Sequence, residues 1–360
     1  MSLHKIPVED FEYGGVLRKK TMRAAVFEGE GVLKVKDMPY PVIKNPHQLI
    51  IKVEAASICG SDLHGLAVPP GQYMKPGIIY GHEFCGTIVK MGEKVEGFTL
   101  GEMVAVNPRV RCGKCYECTH NKGDLCSHSN HYGQLADGGF SEYALVDEDQ
   151  LYHVDASVPA EIIAQTEPIA CIMNAVKEAR PTPVDYVLLY GAGPIGLSFI
   201  RVLKVYGIRN LIVAAKGEKR VQEAYTCGAD IVVNVEKESV EEVMKQYWEY
   251  KADLVIDAVG RGTVLEEAVN LVNPQGRILL FGLDQNTKAM IPPSVFTLNE
   301  ISLKGVLGKD FPAALEMIKN PGLQLEKIIT HRISLEEIHF GMDLMKRKEA
   351  CRVIVFPHGI

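Results

Sequence analysis

The chain is 360 residues long with a formal net charge of −6, and because one core rarely exceeds roughly 250 to 300 residues, this length predicts two domains with a cleft between them. Basic residues are scattered along an acidic chain, which argues against nucleic acid as a partner. The first twenty residues lack an apolar signal core, and no apolar run is long enough to span a bilayer, so we expect a cytoplasmic protein with no membrane partner.

The first part of the chain predicts a β-rich domain. From Met22 to about Val146, short alternating or apolar runs are separated by glycine and proline, a pattern typical of strands joined by loops. The segment before Met22 is interpreted as an extension. The predicted strands are 22–27, 48–53, 86–89, 103–106 and 142–146.

Near Pro183 the pattern changes to continuous apolar runs that alternate with helical stretches. Such runs predict the strands of a parallel sheet, because helices bury both faces of that sheet. These predicted strands are 186–190, 210–214, 254–258 and 277–281.

After about Val306 the chain is predicted to return to the first domain, through a helix at 311–319 and a closing strand at 351–356. We therefore expect a catalytic domain and a dinucleotide-binding domain. The predicted bounds are 1–168 and 308–360 for the former and 169–307 for the latter.

Four of the nine cysteines form a compact cluster: Cys112, Cys115, Cys118 and Cys126. An odd number of unevenly spaced cysteines fits metal ligands and buried thiols better than a disulfide framework. Four thiolates at this spacing can surround one zinc ion, and a closed shell leaves no position for a substrate. We predict a structural zinc in the lobe 112–126. The nearby histidines are interpreted as solvent-facing: His120, His128 and His131.

A second group of metal-binding residue types is spread along the sequence: Cys59, His82, Glu83 and Glu167. A catalytic zinc needs about three protein ligands and one exchangeable position. Cys59 and His82 can supply two ligands, and either Glu83 or Glu167 can supply the third. Each residue alone is a weak signal, since a single cysteine or histidine is usually a packed core residue.

A glycine-rich turn follows the predicted strand 186–190 and precedes an apolar helical stretch at 197–206. In that setting the glycines allow a tight turn and a close approach of the backbone to a pyrophosphate, which then lies at the helix N-terminus. We predict a dinucleotide site. Its residues are Gly191, Gly193, Pro194, Ile195 and Gly196.

The next strand lacks the acidic residue that an NAD-specific site uses to bind the ribose 2′-hydroxyl. It ends at Ala215, and Lys216 and Arg220 follow. Two cations without a carboxylate favour a 2′-phosphate, so NADP(H) is predicted over NAD(H). The alternative is that these cations only form a solvated helix start.

Taken together, these motifs resemble the zinc-containing medium-chain dehydrogenase/reductase superfamily, and within it the sorbitol (polyol) dehydrogenase group. The resemblance runs from Met22 onward and includes the register of Gly81, His82, Glu83 and Gly86, with Glu102 where the family usually carries Asp. It implies an α/β protein with a GroES-like β-rich catalytic domain and a Rossmann doubly wound coenzyme domain.

The same resemblance implies one catalytic and one structural zinc per chain. Cys59, His82 and Glu83 would hold the catalytic ion, with Glu167 as a direct or water-bridged ligand and Asp62 orienting His82. Ser61 and His64 are hypothesised to relay the proton of the alcohol. Further residues predicted to bind the cofactor are Val259, Phe281 and Leu283. Relatives are homodimers or homotetramers, so we expect a homo-oligomer.

The expected reaction is hydride transfer between a secondary alcohol or polyol, or its ketone, and the nicotinamide cofactor. Glu167 followed by Pro168 resembles the polyol group. Ala215 followed by basic residues resembles the NADP-using ketose reductases of the same group. Gly308 differs, because sorbitol-oxidising relatives carry an arginine there and threonine dehydrogenases a glycine. An NAD-dependent threonine-type dehydrogenase and a non-catalytic zinc- and nucleotide-binding relative therefore stay open as alternatives.

Overall fold

The structure, a computed structural model, describes residues 20–360. Of the predicted extension before Met22, residues 1–19 lie outside the described part. Among the described residues, no helix combines the length and the apolar character that crossing a membrane requires.

The first part of the chain is mainly β-structure, as the glycine- and proline-broken pattern predicted. Strands β1 and β2 form an antiparallel hairpin, and β3 is the central strand of a larger sheet. The strands are β1 (Thr21–Gly29), β2 (Val32–Pro39), β3 (Gln48–Ser57), β4 (Glu83–Met91), β5 (Met103–Val106), β6 (Arg109–Val110), β7 (Asn130–His131), β8 (Tyr143–Asp147) and β9 (Leu151–His153). The helices here are α1 (Gly60–Gly65), α2 (Tyr116–Thr119), α3 (Ala160–Ile163) and α4 (Thr166–Ala179).

The middle part forms a six-stranded parallel sheet with helices between its strands. Its strands are β10 (Tyr186–Tyr190), β11 (Asn210–Ala215), β12 (Ile231–Asn234), β13 (Ala252–Asp257), β14 (Val272–Leu280) and β15 (Ser302–Gly305). Its helices are α5 (Pro194–Val205), α6 (Glu218–Thr226), α7 (Val240–Tyr247), α8 (Gly262–Leu271) and α9 (Ser294–Asn299). The strand order β12-β11-β10-β13-β14-β15 is that of a Rossmann sheet, and it confirms the predicted doubly wound α/β fold.

Burial on both faces explains why these strands read as continuous apolar runs. Successive residues of β10 point to opposite faces, so Val187 and Leu189 enter one core cluster while Leu188 and Tyr190 enter another. The predicted helix at 197–206 begins earlier, at Pro194, because proline suits the first position of a helix.

The C-terminal part returns to the first sheet. Its elements are α10 (Phe311–Ile318), β16 (Ile329–Ser334), α11 (Ile338–Lys346) and β17 (Arg352–Phe356). β17 pairs antiparallel with β3, and α10 packs on α4. α4 is continuous across residues 168 and 169, where the sequence placed a domain boundary, so the division of the chain at that point stays a prediction.

Candidate metal and cofactor site

Three of the predicted zinc ligands converge although they are distant in sequence. Cys59 caps α1, and His82 and Glu83 lie at the start of β4. One ligand atom from each of these residues lies within 4.8 Å of the others. Oε1 of Glu83 is buried and has no hydrogen-bond partner among residues 20–360. An unpartnered carboxylate oxygen beside a thiol and an imidazole fits a zinc ion, which takes sulfur, nitrogen and oxygen ligands.

Asp62 connects two members of this group. Its Oδ2 accepts a hydrogen bond of 2.9 Å from the backbone N–H of Cys59, and its Oδ1 lies 3.2 Å from Nδ1 of His82. This arrangement turns Nε2 of His82 toward the other ligands. Burial raises the pKa of the Cys59 thiol, so the thiolate that a metal site requires depends on a bound cation.

Glu83 is held by a buried arginine that the sequence motifs did not reveal. Nη1 of Arg352 donates to Oε2 of Glu83 at 2.8 Å and to the hydroxyl of Ser57 at 3.2 Å. Arg352 is only 1% exposed. Burial alone would lower its pKa, but the negative charges around it, Glu83 first among them, together outweigh that effect and raise the pKa, so the arginine stays charged.

Glu167 lies outside the group formed by Cys59, His82 and Glu83. Its Oε1 is 3.3 Å from Nζ of Lys309, and both side chains are nearly inaccessible. The sequence motifs did not reveal Lys309, because no local sequence pattern connects it with Glu167, which lies on a helix far away in the chain.

The prediction that His131 faces solvent is wrong. This residue is buried, and its ring centre lies 5.7 Å from that of His82. The short pairing of β6 with β7 places His131 opposite Arg109. The pairing turns His131 toward Cys59, His82 and Glu83, which we call the metal group. Burial lowers its pKa well below the usual value, so His131 is a neutral neighbour of the site.

Ser61 and His64 both lie on α1, next to Cys59. The hydroxyl of Ser61 is 3.5 Å from Nε2 of His82, whereas His64 is exposed one helical turn further along. Ser61 thus lies beside the predicted metal ligands, and His64 lies on the solvent side of the same helix.

The four clustered cysteines come together as their spacing predicted: one sulfur from each of Cys112, Cys115, Cys118 and Cys126 lies within 4.8 Å of the others. Sulfurs at about 2.3 Å around a tetrahedral zinc are about 3.8 Å apart. The distances between Sγ atoms are 3.6 Å for Cys115 and Cys126 and 4.0 Å for Cys112 and Cys118. Backbone N–H groups of the loop lower the pKa of Cys112 to about 6, whereas hydrogen bonds with Glu117 and the neighbouring cysteines raise that of Cys115 to about 12, so four thiolates together require a cation. This lobe fits a structural zinc.

A cleft of about 540 Å³ runs from Cys59 to the glycine-rich turn, and we call it the cofactor cleft. Most of the predicted cofactor residues line it: Gly191, Gly193, Pro194, Ile195, Gly196, Lys216, Arg220 and Val259. The close turn needs glycine, since Gly191 has a φ of +99° and a Cβ on Gly196 would lie 1.9 Å from the carbonyl oxygen of Gly191. The cleft therefore fits a dinucleotide whose pyrophosphate lies at the start of α5.

Three of the predicted cofactor residues are absent from the lining of this cleft. Ala215 ends β11 and is 1% exposed. Phe281 packs edge to face on Phe199, and Leu283 is a solvent-exposed side chain.

The two predicted cations differ in their surroundings. Lys216 is well exposed, and its Nζ lies 3.7 Å from Oε1 of Glu236. Arg220 is engaged, because Nη1 pairs with Glu223 at 2.6 Å and Nη2 donates to the carbonyl oxygen of Ala350 at 2.9 Å. Arg220 therefore joins the wall of the Rossmann sheet to the C-terminal part of the chain.

Comparison with known proteins identifies the family of this chain. The family model of the alcohol dehydrogenase GroES-like domain matches residues 45–156, and that of the zinc-binding dehydrogenases matches residues 194–320. The starvation-sensing protein RspB of Escherichia coli K12 is 33% identical over 93% of this chain and 99% of that protein. The chain belongs to the zinc-dependent medium-chain dehydrogenase/reductase superfamily.

Two further relatives carry the names of different dehydrogenases, and two similar solved structures contain different cofactors. A sorbitol dehydrogenase of Halalkalibacterium halodurans is 29% identical over 91% of this chain and 97% of that protein, and an L-threonine 3-dehydrogenase of Thermococcus kodakarensis is 31% identical over 89% and 93%. The rspB alcohol dehydrogenase of E. coli CFT073, complexed with NADH, superposes with a TM-score of 0.87 at 33% identity, covering 94% of this chain and 100% of that chain. A Sinorhizobium meliloti protein bound to NADP gives a TM-score of 0.88 at 26% identity, with the same coverage.

The four-cysteine lobe generates a metal-content prediction. Replacing Cys118 by serine should lower the zinc content by one ion per chain and lower the unfolding temperature, because a structural zinc contributes directly to folding. The buried Cys227, outside both groups, is the matched control, and Cys227→Ala should leave the zinc content unchanged. Elemental analysis with thermal unfolding measures both, and unchanged zinc in the Cys118 variant would contradict the assignment.

The buried pair of Lys309 and Glu167 generates a stability prediction. Lys309→Met leaves a buried carboxylate without its cation and should lower the free energy of unfolding by about 3–5 kcal/mol. Adding Glu167→Gln should restore most of that loss, which a double-mutant cycle measures. In the control Lys304→Met, which breaks an exposed pair with Glu178, the expected loss is below about 1 kcal/mol. Equal losses in the two single variants would contradict a buried ion pair.

Proposed function

We propose that this superfamily member is a zinc-dependent oxidoreductase that transfers a hydride between a secondary alcohol or polyol, or its ketone, and NADP(H). The observation that carries the proposal is the cofactor cleft, which joins Cys59 of the metal group to the glycine-rich turn in one continuous space. A hydride can pass only when the carbinol carbon and the nicotinamide are held in contact, so this continuity is what the reaction requires.

The residues of the site have separate roles in this proposal. Cys59, His82 and Glu83 would hold the catalytic zinc, which when bound supplies a Lewis acid for the substrate oxygen. Ser61 lies next to this group, and its hydroxyl accepts the proton of the alcohol as it gives up its own, while the exposed His64 on the same helix exchanges a proton with solvent. Glu167, paired with Lys309, is a neighbour of the site rather than a direct ligand in this arrangement.

The preference for NADP(H) is supported by the charge at the end of β11. Ala215 places no carboxylate where a 2′-phosphate would lie, and Lys216 and Arg220 both line the cleft. A hydrogen bond to a charged group contributes about 1.5–3 kcal/mol, but Arg220 already pairs with Glu223 and the exposed Lys216 lies beside Glu236, so we expect less than the sum of two such bonds. The E. coli relative bound to NADH and the S. meliloti relative bound to NADP show that the fold accommodates either cofactor.

A cofactor-binding measurement tests this preference. The wild type should bind NADPH at least tenfold more tightly than NADH, and Lys216→Ala combined with Arg220→Ala should remove most of the difference. Ala215→Asp should shift the preference toward NADH, because its carboxylate repels a 2′-phosphate and accepts from a ribose hydroxyl. Equal binding of both cofactors to the wild type would reject the NADP assignment.

An activity measurement tests the substrate class. A panel of polyols, 2-ketoses and L-threonine, each with both cofactors, should give the highest kcat/KM for a polyol and ketose pair with NADP(H). The activity should disappear with a zinc chelator and return with added zinc. Turnover of L-threonine with NAD would favour the threonine-type alternative, which Gly308 and the L-threonine 3-dehydrogenase relatives support.

Two zinc ions per chain are part of the proposal, one in each group of ligands. Protein with about one zinc and no chelator-sensitive turnover would favour the non-catalytic alternative. The cytoplasmic location and the homodimeric or homotetrameric state stay predictions.

A further inference from the structure

Lys348 lines the cofactor cleft from the C-terminal part of the chain, opposite the Rossmann sheet. It follows the end of α11 and has a φ of +60°, a left-handed conformation that glycine adopts at lower cost than lysine. Lysine at this position therefore lowers the stability of the backbone, but it places a long cationic side chain at the cleft.

The contacts of the neighbouring residues place this segment beside the start of α6. Arg220 donates to the carbonyl oxygen of Ala350, and Lys219 donates to that of Glu349. Since α6 begins just after β11, Lys348 stands near the end of the cleft that carries Lys216. The pyrophosphate, by contrast, is expected at Gly191 to Gly196, at the start of α5.

The acidic residues around Lys348 already have cationic partners. Glu349 pairs with Arg347 at 3.2 Å, and Glu223 pairs with Arg220 at 2.6 Å. Within residues 20–360 no carboxylate lies within ion-pair distance of Nζ of Lys348. On the other wall Arg220 pairs with Glu223 and Lys216 lies beside Glu236, so Lys348 adds the positive charge that a doubly charged anion at this end of the cleft requires.

We propose that Lys348 binds the 2′-phosphate of NADP(H) from the C-terminal wall, opposite Lys216 and Arg220, so that the phosphate is held between both walls of the cleft. This inference rests on the proposed NADP(H) preference and names a residue that the Rossmann fingerprint does not contain. NADH carries no phosphate at that position and leaves Lys348 without an anionic partner.

Binding of four nucleotides to purified full-length protein tests the role of Lys348. In Lys348→Ala, affinity for NADPH and for adenosine 2′,5′-bisphosphate should fall roughly three- to tenfold, as expected for a partly exposed charge-assisted bond. Affinity for NADH and for 5′-AMP should stay within twofold of the wild type. Fluorescence titration and calorimetry measure these constants without turnover.

Two further variants separate charge from structure. Lys346→Ala removes an equal charge two residues away, outside the cleft lining, and should leave all four affinities unchanged. Lys348→Gly also removes the cation but suits the left-handed backbone, so its unfolding temperature without cofactor should equal or exceed that of the wild type while NADPH affinity falls. Rising salt should weaken NADPH binding more in the wild type than in Lys348→Ala.

The outcomes distinguish this inference from the proposed function. Wild-type preference for NADPH together with unchanged affinities in Lys348→Ala overturns the role of Lys348 alone. Equal losses for NADPH and NADH in that variant also overturn it, since they indicate a contact with a group common to both cofactors. Equal binding of NADPH and NADH by the wild type overturns the NADP(H) preference and this inference with it.

Discussion

The bond between Arg352 and Glu83 lies where the first sheet meets the cofactor cleft, and the metal group depends on it. Both side chains are almost wholly inaccessible, and burial raises the pKa of Glu83 while the charge of Arg352 counteracts that rise. Glu83 begins β4 and Arg352 begins β17, with β3 between the two strands. The return of the chain to the first sheet therefore brings the cation that the metal group needs.

The two halves of the site come from two different sheets. The first sheet and its loops carry the thiol, imidazole and carboxylate groups, and the parallel sheet carries the glycine-rich turn at the end of β10. Ligands of doubly wound sheets lie beyond the carboxyl ends of the strands where the strand order reverses, here between β10 and β13. Arg220 and Ala350 join the two walls at the far end of the cleft. Cofactor binding is thereby linked to the same C-terminal segment that carries Arg352.

The parts of the site that sequence could predict are those encoded by local spacing. The glycine-rich turn and the cysteine lobe are such parts, because a few adjacent residues determine both the backbone path and the chemistry. Lys309 and Arg352 could not be found in that way, since each meets its carboxylate only through tertiary packing. His131 was misassigned for the same reason: a two-residue strand pairing turns it inward, and no periodic pattern signals so short an element.

The two glutamates near the predicted metal position differ in their partners. Within the described part of the chain Oε1 of Glu83 has no hydrogen-bond partner, whereas Oε1 of Glu167 faces the ammonium group of Lys309. With Cys59 as thiolate and His82 as neutral imidazole, the states that a bound zinc requires, the acidic groups around the metal position outnumber the cations by two: Cys59, Asp62, Glu83 and Glu167 against Arg352 and Lys309. Such an excess is costly in a site withdrawn from water, and one divalent cation neutralises it. Glu83 thus belongs to the group whose possible ligand atoms lie together, whereas Glu167 lies outside that group, beside Lys309.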